Sequence, residues 1–280
     1  MVSLEQLQSG LVLPLDKPRQ WTSFQAVNKV KAVVRNRYGL KKFKIGHAGT
    51  LDPLATGLLL VCLGKATKTI PTLQDGDKVY TGTMVLGATT PCYDMERAID
   101  QYYPFEHISP ALLDEKRKLF EGEIKQVPPM FSAVKIEGQR AYEYARRDDP
   151  TVTIQPKTVS IYSFEITAFR SGKNNLSTQN NLSILNNQSI QNNPSNQNNP
   201  LTKHHLYDNP QWVVPEGLPE VDFRICCGKG TYIRSLARDF GAALGSGAFL
   251  SALRRERVGE YSIDEAITID QIETYFTLNT

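Results

Sequence analysis

Stretches of apolar residues with the spacing of buried strands recur along the chain. Gly10 to Leu15 is typical of a short strand, and Lys78 to Leu86 alternates between the two faces of a sheet. Leu58 to Leu63 is apolar at every position, as in a strand that is covered on both faces. Thr158 to Phe169 and Gln211 to Cys227 have the composition of two more strands. These segments predict a sheet.

Two segments have helical spacing instead. In the first, apolar side chains recur on one face: Val27, Val30, Val33 or Val34, and Tyr38. Thr22 or Ser23 is suited to cap the beginning of this helix, and Gly39 is suited to end it. A second helix is predicted from Ser109-Pro110 through Phe120. The chain therefore combines strands with helices.

The segment between the last two predicted strands has a different composition. From Asn174 to Asn199, 15 of 26 residues are Asn or Gln, and the tetrapeptides Asn-Asn-Leu-Ser and Gln-Asn-Asn-Pro each recur there. Such a tract cannot bury enough apolar surface to offset the entropy that is lost when it is ordered. We predict that residues 172–210 are a disordered insertion without a function of their own.

Length and composition limit the class of protein. The 280 residues suffice for one large domain or two small ones. The longest apolar run, Leu58 to Leu63, is far shorter than the roughly 20 residues that span a bilayer, and residues 1–8 lack a signal-peptide pattern. The four cysteines have neither the Cys-x-x-Cys spacing nor the histidines of a zinc finger. We expect a cytoplasmic protein with reduced cysteines, no membrane segment and no metal.

The net charge of +3 is small, but the basic residues are clustered. No acidic residue lies between Asp16 and Asp52, whereas nine Lys and Arg residues do. Further basic clusters lie at residues 116–118, 140–147 and 254–257. Such stripes suit the phosphate backbone of a nucleic acid, because phosphate contacts supply most non-specific affinity. Charge alone does not distinguish this function from an ordinary solvated surface.

The most unusual stretch is the loop from Gly46 to Gly57, Gly-His-Ala-Gly-Thr-Leu-Asp-Pro-Leu-Ala-Thr-Gly. Its glycines permit positive φ and close approach of the backbone to a ligand, and Pro53 stiffens the support of Asp52. On spacing alone, Asp52 is also typical of a helix N-cap that is followed by Pro. A phosphatase with an aspartate nucleophile would need aspartates at Gly46 and Ala48, and neither residue is acidic.

This loop is similar to the catalytic signature of the bacterial tRNA pseudouridine-55 synthases, the TruB family. The resemblance implies that Asp52 is the catalytic residue rather than an N-cap. Three further signatures follow the family's order: Lys17 to Ser23, Gln126 to Arg146 and Cys227 to Asp239. In the first of these, Gln20 stands where the family has Gly. The second corresponds to the family's mobile thumb, which closes on the RNA arm.

The resemblance implies roles for further residues. The substrate-binding residues that we predict are His47, Tyr80, Tyr232, Arg234 and Leu253. Tyr80 would stack on the target base, and Arg234 would pair with Asp52 and keep it ionised. Arg234 follows a glycine-rich turn, in a helix that we expect Thr231 to cap. Asp94 occupies a recurrent acidic position. Without the resemblance, a strand tyrosine such as Tyr80 is more often a core residue than a site residue, and Arg234 is equally consistent with a surface helix residue.

We therefore predict one α+β catalytic domain over residues 1–280, with a mixed, largely antiparallel central sheet flanked by helices. The expected activity is the conversion of the T-loop uridine of tRNA, uridine-55, to pseudouridine on a flipped-out base. This isomerisation needs no redox cofactor, phosphate or metal, and we expect none. We expect a monomer that binds the T stem-loop of tRNA without an obligate protein partner. The C-terminal RNA-binding extension of many members is expected to be missing.

Activities of other classes are alternatives. A non-catalytic RNA-binding module would explain the basic stripes but not the constrained Asp52 loop. An aspartate-nucleophile phosphohydrolase would need Mg²⁺ and a second acidic residue beside the nucleophile. Gly64-Lys65-Ala66 is not a P-loop, because Ala66 replaces the required Ser or Thr. Whether Asp52 attacks the base, attacks C1′ or removes a sugar proton is left open by the sequence.

Overall fold

The computed structural model describes residues 2–132, 134–136, 138–145, 153–172 and 213–277. Apart from Gly172, the predicted insertion of residues 172–210 lies outside these ranges, and so do Arg146 and Arg147 of the predicted thumb.

Seven α-helices lie in the described ranges: α1 (Leu4–Ser9), α2 (Ser23–Tyr38), α3 (Ile70–Asp75), α4 (Pro110–Arg117), α5 (Ala141–Ala145), α6 (Ile233–Ala243) and α7 (Ile272–Thr277). Short 3-10 helices span Gly64–Thr69, Lys118–Phe120 and Ile263–Glu265.

The strands in the same ranges are β1 (Leu11–Lys17), β2 (Ile45–Ala48), β3 (Thr56–Leu63), β4 (Lys78–Leu86), β5 (Ala88–Thr89), β6 (Gln101–Tyr102), β7 (Gly122–Gln126), β8 (Lys135–Ile136), β9 (Gln139–Arg140), β10 (Lys157–Arg170), β11 (Glu220–Cys227), β12 (Ala248–Val258), β13 (Tyr261–Ser262) and β14 (Ile267–Thr268).

The chain divides into two compact units. The first comprises residues 1–81, 226–229 and 253–280, and the second comprises residues 82–225 and 230–252. The strands β4, β11 and β12 therefore have residues in both units. The prediction that residues 1–280 form a single domain stays a prediction.

The sheet of the first unit is built around β3. β1 pairs with β3 in antiparallel register, from Leu11 opposite Leu63 to Lys17 opposite Gly57. β2 also pairs antiparallel with β3, whereas β12 runs parallel to it, with Arg255 opposite Gly57. β14 runs parallel to β1, and β13 runs antiparallel to β12. Parts of the chain that are far apart in sequence thus meet at the beginning of β3.

Hydrophobic packing on both faces of β3 explains its continuous apolar sequence. Leu59, Val61 and Leu63 pack into a cluster with residues of β1, α2 and α7. Leu58 and Leu60 point to the other face and belong to a second cluster. Complete burial of one Leu side chain stabilises a fold by about 1.5 to 3 kcal/mol. β3 is therefore a main source of stability in this unit.

Helix α2 forms where the sequence predicts it, because both of its ends carry local signals. Thr22 and Gln25 make a capping box: Thr22 Oγ1 accepts from Gln25 N at 3.1 Å, and Gln25 Oε1 accepts from Thr22 N at 2.8 Å. Gly39 ends the helix in the left-handed conformation, with φ 64°. Val27, Val30 and Val34 are buried in the cluster that also covers β3.

The second unit has the strand order β12, β4, β11, β10, β7. β10 and β7 are antiparallel. Aromatic side chains form part of the core: Phe164 of β10 lies 6.5 Å from Phe223 of β11 and 5.1 Å from Phe240 of α6, measured between ring centroids. β5 pairs with β6, and β8 pairs with β9, each in a separate two-stranded sheet. The predicted fold class, a mixed, largely antiparallel sheet with flanking helices, is confirmed.

Most differences from the predicted elements lie at their ends. β1 continues to Lys17, two residues beyond the predicted end at Leu15. The strand that was predicted from Gln211 begins at Glu220. α6 begins at Ile233 with Tyr232 at its N-cap, so the prediction that Thr231 caps this helix is wrong.

The start of α6 is fixed by a residue of another element. Gln126 of β7 accepts from Tyr232 N at 2.8 Å and donates to Tyr232 O at 3.1 Å. The Tyr232 side chain itself makes no capping hydrogen bond. A capping rule that reads neighbouring residues cannot foresee a partner 106 positions away.

Candidate active site

The backbone on both sides of Asp52 is anchored. The hydroxyl of Ser23 accepts from Leu51 N at 2.9 Å and donates to Leu51 O at 3.0 Å. On the other side of Asp52, Gln20 N donates to Pro53 O at 2.8 Å. Because the residues before and after Asp52 are both held, its carboxylate stands on a rigid support.

A turn and a strand follow Asp52. Asp52 O accepts from Ala55 N at 3.1 Å, which closes the turn, and β3 begins at Thr56. The interpretation of Asp52 as a helix N-cap, which its spacing alone favours, is therefore wrong. The glycines on either side help to explain why no helix follows Asp52. Gly49 and Gly57 have φ values of 87° and 99°, and an α-helix contains only negative φ values.

Gln20 keeps the turn that the family makes with Gly. Its φ is 69°, in the left-handed region. Glycine adopts this region without a steric penalty, whereas other residues pay roughly 1 to 2 kcal/mol. The departure from the family's Gly therefore leaves the turn intact and introduces local strain.

Lys17 is a buried cation beneath the same loop. Its Nζ donates to Pro18 O at 2.9 Å, to Trp21 O at 2.6 Å and to Pro53 O at 3.3 Å. Burial lowers the pKa of Lys17 to about 8, although the negative charge of Asp52 acts in the opposite direction. Lys17 is therefore protonated at neutral pH and helps to hold Pro53.

Arg255 is a second buried cation that the sequence analysis placed only in a basic stripe. Its guanidinium donates to Leu58 O at 2.8 Å and to Gly49 O at 3.1 Å. Every second residue of a strand lies on the same face, and this pattern points to the burial of both Lys17 and Arg255. In β1, Lys17 lies on the buried face of Leu13 and Leu15, and in β12, Arg255 lies on the partly buried face of Leu253.

His47 lies in β2, opposite Val61 of β3. Its Nδ1 is buried and has no hydrogen-bond partner among the described residues. Burial lowers the pKa of His47; the Gly49 backbone acts in the opposite direction, and the charge of Arg255 lowers it further. The imidazole is therefore neutral at pH 7 and has a polar atom to offer.

Tyr80 and Leu253 line the same region. Both are partly exposed and pack against the hydrophobic cluster that includes Leu51 and Ala55 of the Asp52 loop. Burial raises the pKa of Tyr80, whereas the charge of Arg255 and a hydrogen-bonding interaction with it act the other way. The phenol is protonated at pH 7. The structure thus brings the predicted residues Tyr80 and Leu253 to the Asp52 loop.

Arg234 belongs to the second unit and lies in the first turn of α6. Its side chain is 4% exposed, so the interpretation as a surface residue is wrong. The guanidinium donates to Cys92 O at 3.2 Å and to Phe131 O at 2.8 Å, and its Nε lies 3.7 Å from Asp94 Oδ2. Tyr232 lies in the same unit. The predicted pairing of Arg234 with Asp52 stays a prediction.

Asp94 is the carboxylate beside Arg234. Its Oδ1 accepts from Glu96 N at 2.9 Å, and its backbone carbonyl accepts from Thr90 Oγ1 at 2.7 Å. The preceding Tyr93 has a φ of 61°, which is rare for a non-glycine residue. The partner of Asp94 comes from a helix that is distant in sequence, so the contact could not be predicted from the residues around Asp94.

Metal and membrane features were also searched for in the described ranges. No group of three or more His, Cys, Asp and Glu side chains there is arranged to hold a metal ion. None of the described helices is long and apolar enough to cross a membrane.

Similarity to known proteins identifies the family. Residues 35–183 match the model of the TruB family pseudouridylate synthase N-terminal domain. The chain belongs to the TruB family. Residues 234–280 match the model of the tRNA pseudouridylate synthase B C-terminal domain. The absence of a further C-terminal extension stays a prediction.

Relatives in the TruB family cover almost the whole chain. The tRNA pseudouridine synthase B of Flavobacterium johnsoniae is 46% identical over 96% of this chain and 97% of its own length. The protein of the same name from Phocaeicola vulgatus is 40% identical over 94% of this chain and 92% of its own length. The prediction of a pseudouridine synthase is confirmed, and the non-catalytic and phosphohydrolase alternatives are excluded.

Solved structures share the TruB-type fold. A Cbf5-Nop10-Gar1 complex contains a chain that matches with a TM-score of 0.58 at 29% identity. The match covers 96% of this chain and 55% of that one. An H/ACA RNP bound to a substrate RNA containing 2′-deoxyuridine matches with a TM-score of 0.55 at 26% identity, over 98% of this chain and 56% of that one. This chain thus spans little more than half the length of those solved chains.

Proposed function

We propose that this chain converts uridine-55 in the T loop of tRNA to pseudouridine, with Asp52 as the catalytic carboxylate. Relatives that are named tRNA pseudouridine synthase B and are 40 to 46% identical support tRNA as the substrate. The resemblance of the Asp52 loop to the catalytic signature of the family supports Asp52 as the catalytic residue and uridine-55 as the target.

The observation that carries the proposal is the fixed backbone of Asp52. The isomerisation breaks the bond between C1′ and N1 of the uridine and forms a bond between C1′ and C5, while the proton on C5 is lost and N1 gains one. A carboxylate can act as nucleophile or base in this reaction only if it is held close to the reacting atoms. The hydrogen bonds from Ser23 and Gln20 to Leu51 and Pro53 supply that constraint.

The target base must leave its stack before Asp52 can reach it. Tyr80 and Leu253 offer aromatic and apolar surface next to the Asp52 loop, and Tyr80 is proposed to stack on the base. The buried Nδ1 of His47, which has no partner in the described ranges, is suited to a polar atom of the RNA.

Tyr232 and Arg234 complete the proposed set. We assign Tyr232 to the target nucleotide and Arg234 to the Asp52 carboxylate, as the family resemblance implies. The buried guanidinium of Arg234 is already held by two carbonyls and Asp94, so it is rigid enough for such a role.

The reaction as proposed uses no cofactor, because the base and the sugar supply every atom of the product. We propose that a monomer carries it out in the cytoplasm on the T stem-loop. Phosphate contacts by the basic stripes would hold that stem-loop.

The test is to incubate the protein with an unmodified tRNA transcript and to map pseudouridine by selective chemical labelling. We expect product at uridine-55 and none in a transcript with cytidine there. Asp52→Asn removes the charge while nearly keeping the shape, so it is expected to fold normally and to lose turnover. Asp75→Asn, at an exposed aspartate paired with Lys229, is the matched control and is expected to keep full activity. Near-normal turnover by Asp52→Asn would refute the catalytic assignment, and product at another uridine would refute the substrate site.

A further inference from the structure

One buried side chain bonds to both ends of the Asp52 loop. The guanidinium of Arg255 donates through Nη2 to Gly49 O at 3.1 Å and through Nε to Leu58 O at 2.8 Å. These two residues lie three positions before and six positions after Asp52. Arg255 is 1% exposed, so water cannot replace it at these carbonyls.

Two glycines make room for this contact. A Cβ at Gly57 would lie 2.3 Å from Arg255 O, and one at Gly49 would lie 3.3 Å from Arg255 Nη1. The parallel pairing of β12 with β3 places Arg255 opposite Gly57. The glycines of the signature therefore serve the approach of Arg255 in addition to the turns of the loop.

Arg255 also acts on Tyr80. Its charge and a hydrogen-bonding interaction both favour the ionised form of the Tyr80 hydroxyl, against the effect of burial. The other charged or titratable groups that act on this hydroxyl are Cys227 and Asp52. The hydrogen bonds of the Arg255 guanidinium go to backbone carbonyls, those of Gly49 and Leu58.

This set of contacts has a geometric requirement. Arg has a planar fork with five N–H donors, and that fork serves Gly49 and Leu58 at once. Lys has the same charge but a single point of donation, so it cannot reach both carbonyls with good geometry.

We propose that Arg255 is a positioning residue for the reaction: through its bonds to Gly49 and Leu58 it fixes both ends of the Asp52 loop, against which Tyr80 packs. The proposal rests on the proposed function of Asp52 and Tyr80, and it assigns to Arg255 a task that a merely stabilising buried arginine would not have.

The first test reads Tyr80 directly and requires no catalysis. The protein is labelled with 3-fluorotyrosine, Tyr80 is assigned by comparison with Tyr80→Phe, and its hydroxyl is titrated by fluorine NMR. In Arg255→Met we expect the pKa of Tyr80 to rise, because both influences of Arg255 lower it. Arg170→Lys, a change at an exposed ion pair with Asp222, is expected to leave this pKa unchanged.

The second test separates positioning from stability. Arg255→Lys is expected to lower kcat on the T-arm hairpin at least tenfold while KM stays within about threefold, because substrate contacts are kept and alignment is lost. The melting temperature and the folded fraction at the assay temperature are measured alongside. Arg170→Lys is expected to keep kcat, KM and the melting temperature.

The outcomes distinguish this inference from the proposed function. Unchanged kcat in Arg255→Lys, or a loss that only follows the folded fraction, overturns the positioning role. If Arg255→Met does not fold, the titration of Tyr80 in Arg255→Lys is used, and an unchanged chemical shift and pKa there also overturn it. If the wild type forms no pseudouridine, the proposed function fails, while the titration still reports whether Arg255 acts on Tyr80.

Discussion

The ammonium group of Lys17 binds its proton less tightly in the folded chain than in the unfolded chain, because burial lowers its pKa from 10.5 to about 8. Between these two values the unfolded state carries more protons, so the free energy of unfolding rises with pH in that window. The contribution reaches at most about 3 kcal/mol.

Denaturant unfolding of the wild type and Lys17→Met checks this sign. We expect the free energy of unfolding of the wild type, relative to that of Lys17→Met, to increase between pH 7 and pH 10. Only the wild type contains Lys17, and its folded state is favoured as this residue becomes neutral. Other titrating groups are common to both proteins and cancel in the difference. A relative stability that is constant with pH would show that Lys17 keeps an ordinary pKa, and one that falls would show that folding raises its pKa.

Gln20 offers a test of backbone strain. Gln20→Gly is expected to stabilise the protein by up to about 1 kcal/mol, since glycine relieves the left-handed φ of 69° but adds entropy to the unfolded chain. Gln20→Ala removes the same side chain but retains the strain, so it is the control. Thermal unfolding should rank Gln20→Gly above Gln20→Ala, and the reverse order would mean that the entropy glycine adds to the unfolded chain outweighs the strain that it relieves.

Among single residues, Asp52 was singled out by the resemblance of its glycine-bounded loop to the family signature, although its spacing alone favours an N-cap, and its catalytic role stays a prediction. Strand alternation narrows the burial of a charged residue to one of two neighbours, but it selects between them only when the limits and pairing of the strand are known. Arg254 and Arg255 are adjacent and identical in type, yet Arg254 forms an ion pair with Asp16 at 2.8 Å, whereas Arg255 is buried. Adjacent residues of a strand point to opposite faces of the sheet. Which of the two arginines is buried therefore depends on how β12 pairs with its neighbours.

At the scale of elements, α2 is the helix with the clearest basic surface. Lys29 already pairs with Glu273 of α7 at 2.8 Å, whereas Arg37 is exposed near the end of the helix. If this surface contacts tRNA phosphates, Arg37→Ala should weaken binding and reduce the slope of log K against log salt by about 0.7 to 0.9.

Binding of tRNA at several salt concentrations measures this slope. Lys29→Ala is the matched control, and we expect a smaller change from it, because Glu273 already offsets the charge of Lys29. Equal slopes for Arg37→Ala and the wild type would place the RNA elsewhere.

Elements with local signals were predictable, and elements fixed by distant partners were not. The limits of α2 follow from Thr22, Gln25 and Gly39, which are neighbours in sequence. β4 matches its predicted limits, because its alternation is contained within it. The start of α6 is set by Gln126 of another strand, and the two extra residues of β1 are set by pairing with β3.

For the whole molecule, residues 174–199 lie outside the described ranges, so a prediction about them rests on their composition and on their flanks. Arg170 at the end of β10 pairs with Glu220 at 2.8 Å and with Asp222 at 2.6 Å, both in β11. Arg170 and Glu220, which lie on either side of the tract in sequence, are thus neighbours in space.

Replacing residues 174–199 with a short Gly/Ser linker should therefore leave the melting temperature and the rate of tRNA modification nearly unchanged, because the entropy of closing a loop varies only logarithmically with its length. Thermal unfolding and the labelling assay check both quantities. A loss of several degrees would show that the tract packs against the fold.

The bond between Arg255 and Gly49 has a consequence for synthesis on the ribosome. Residues 1–81 of the first unit are made long before residue 255. At about 5 to 20 residues per second, the delay between the synthesis of residue 81 and that of residue 255 is roughly 10 to 35 s. During that time the Asp52 loop lacks its guanidinium, and the beginning of β3 lacks its parallel neighbour β12. A nascent chain therefore passes through a stage in which one edge of β3 is unpaired and open to chaperones or to other chains, and the Asp52 loop acquires its contacts with Arg255 late in translation.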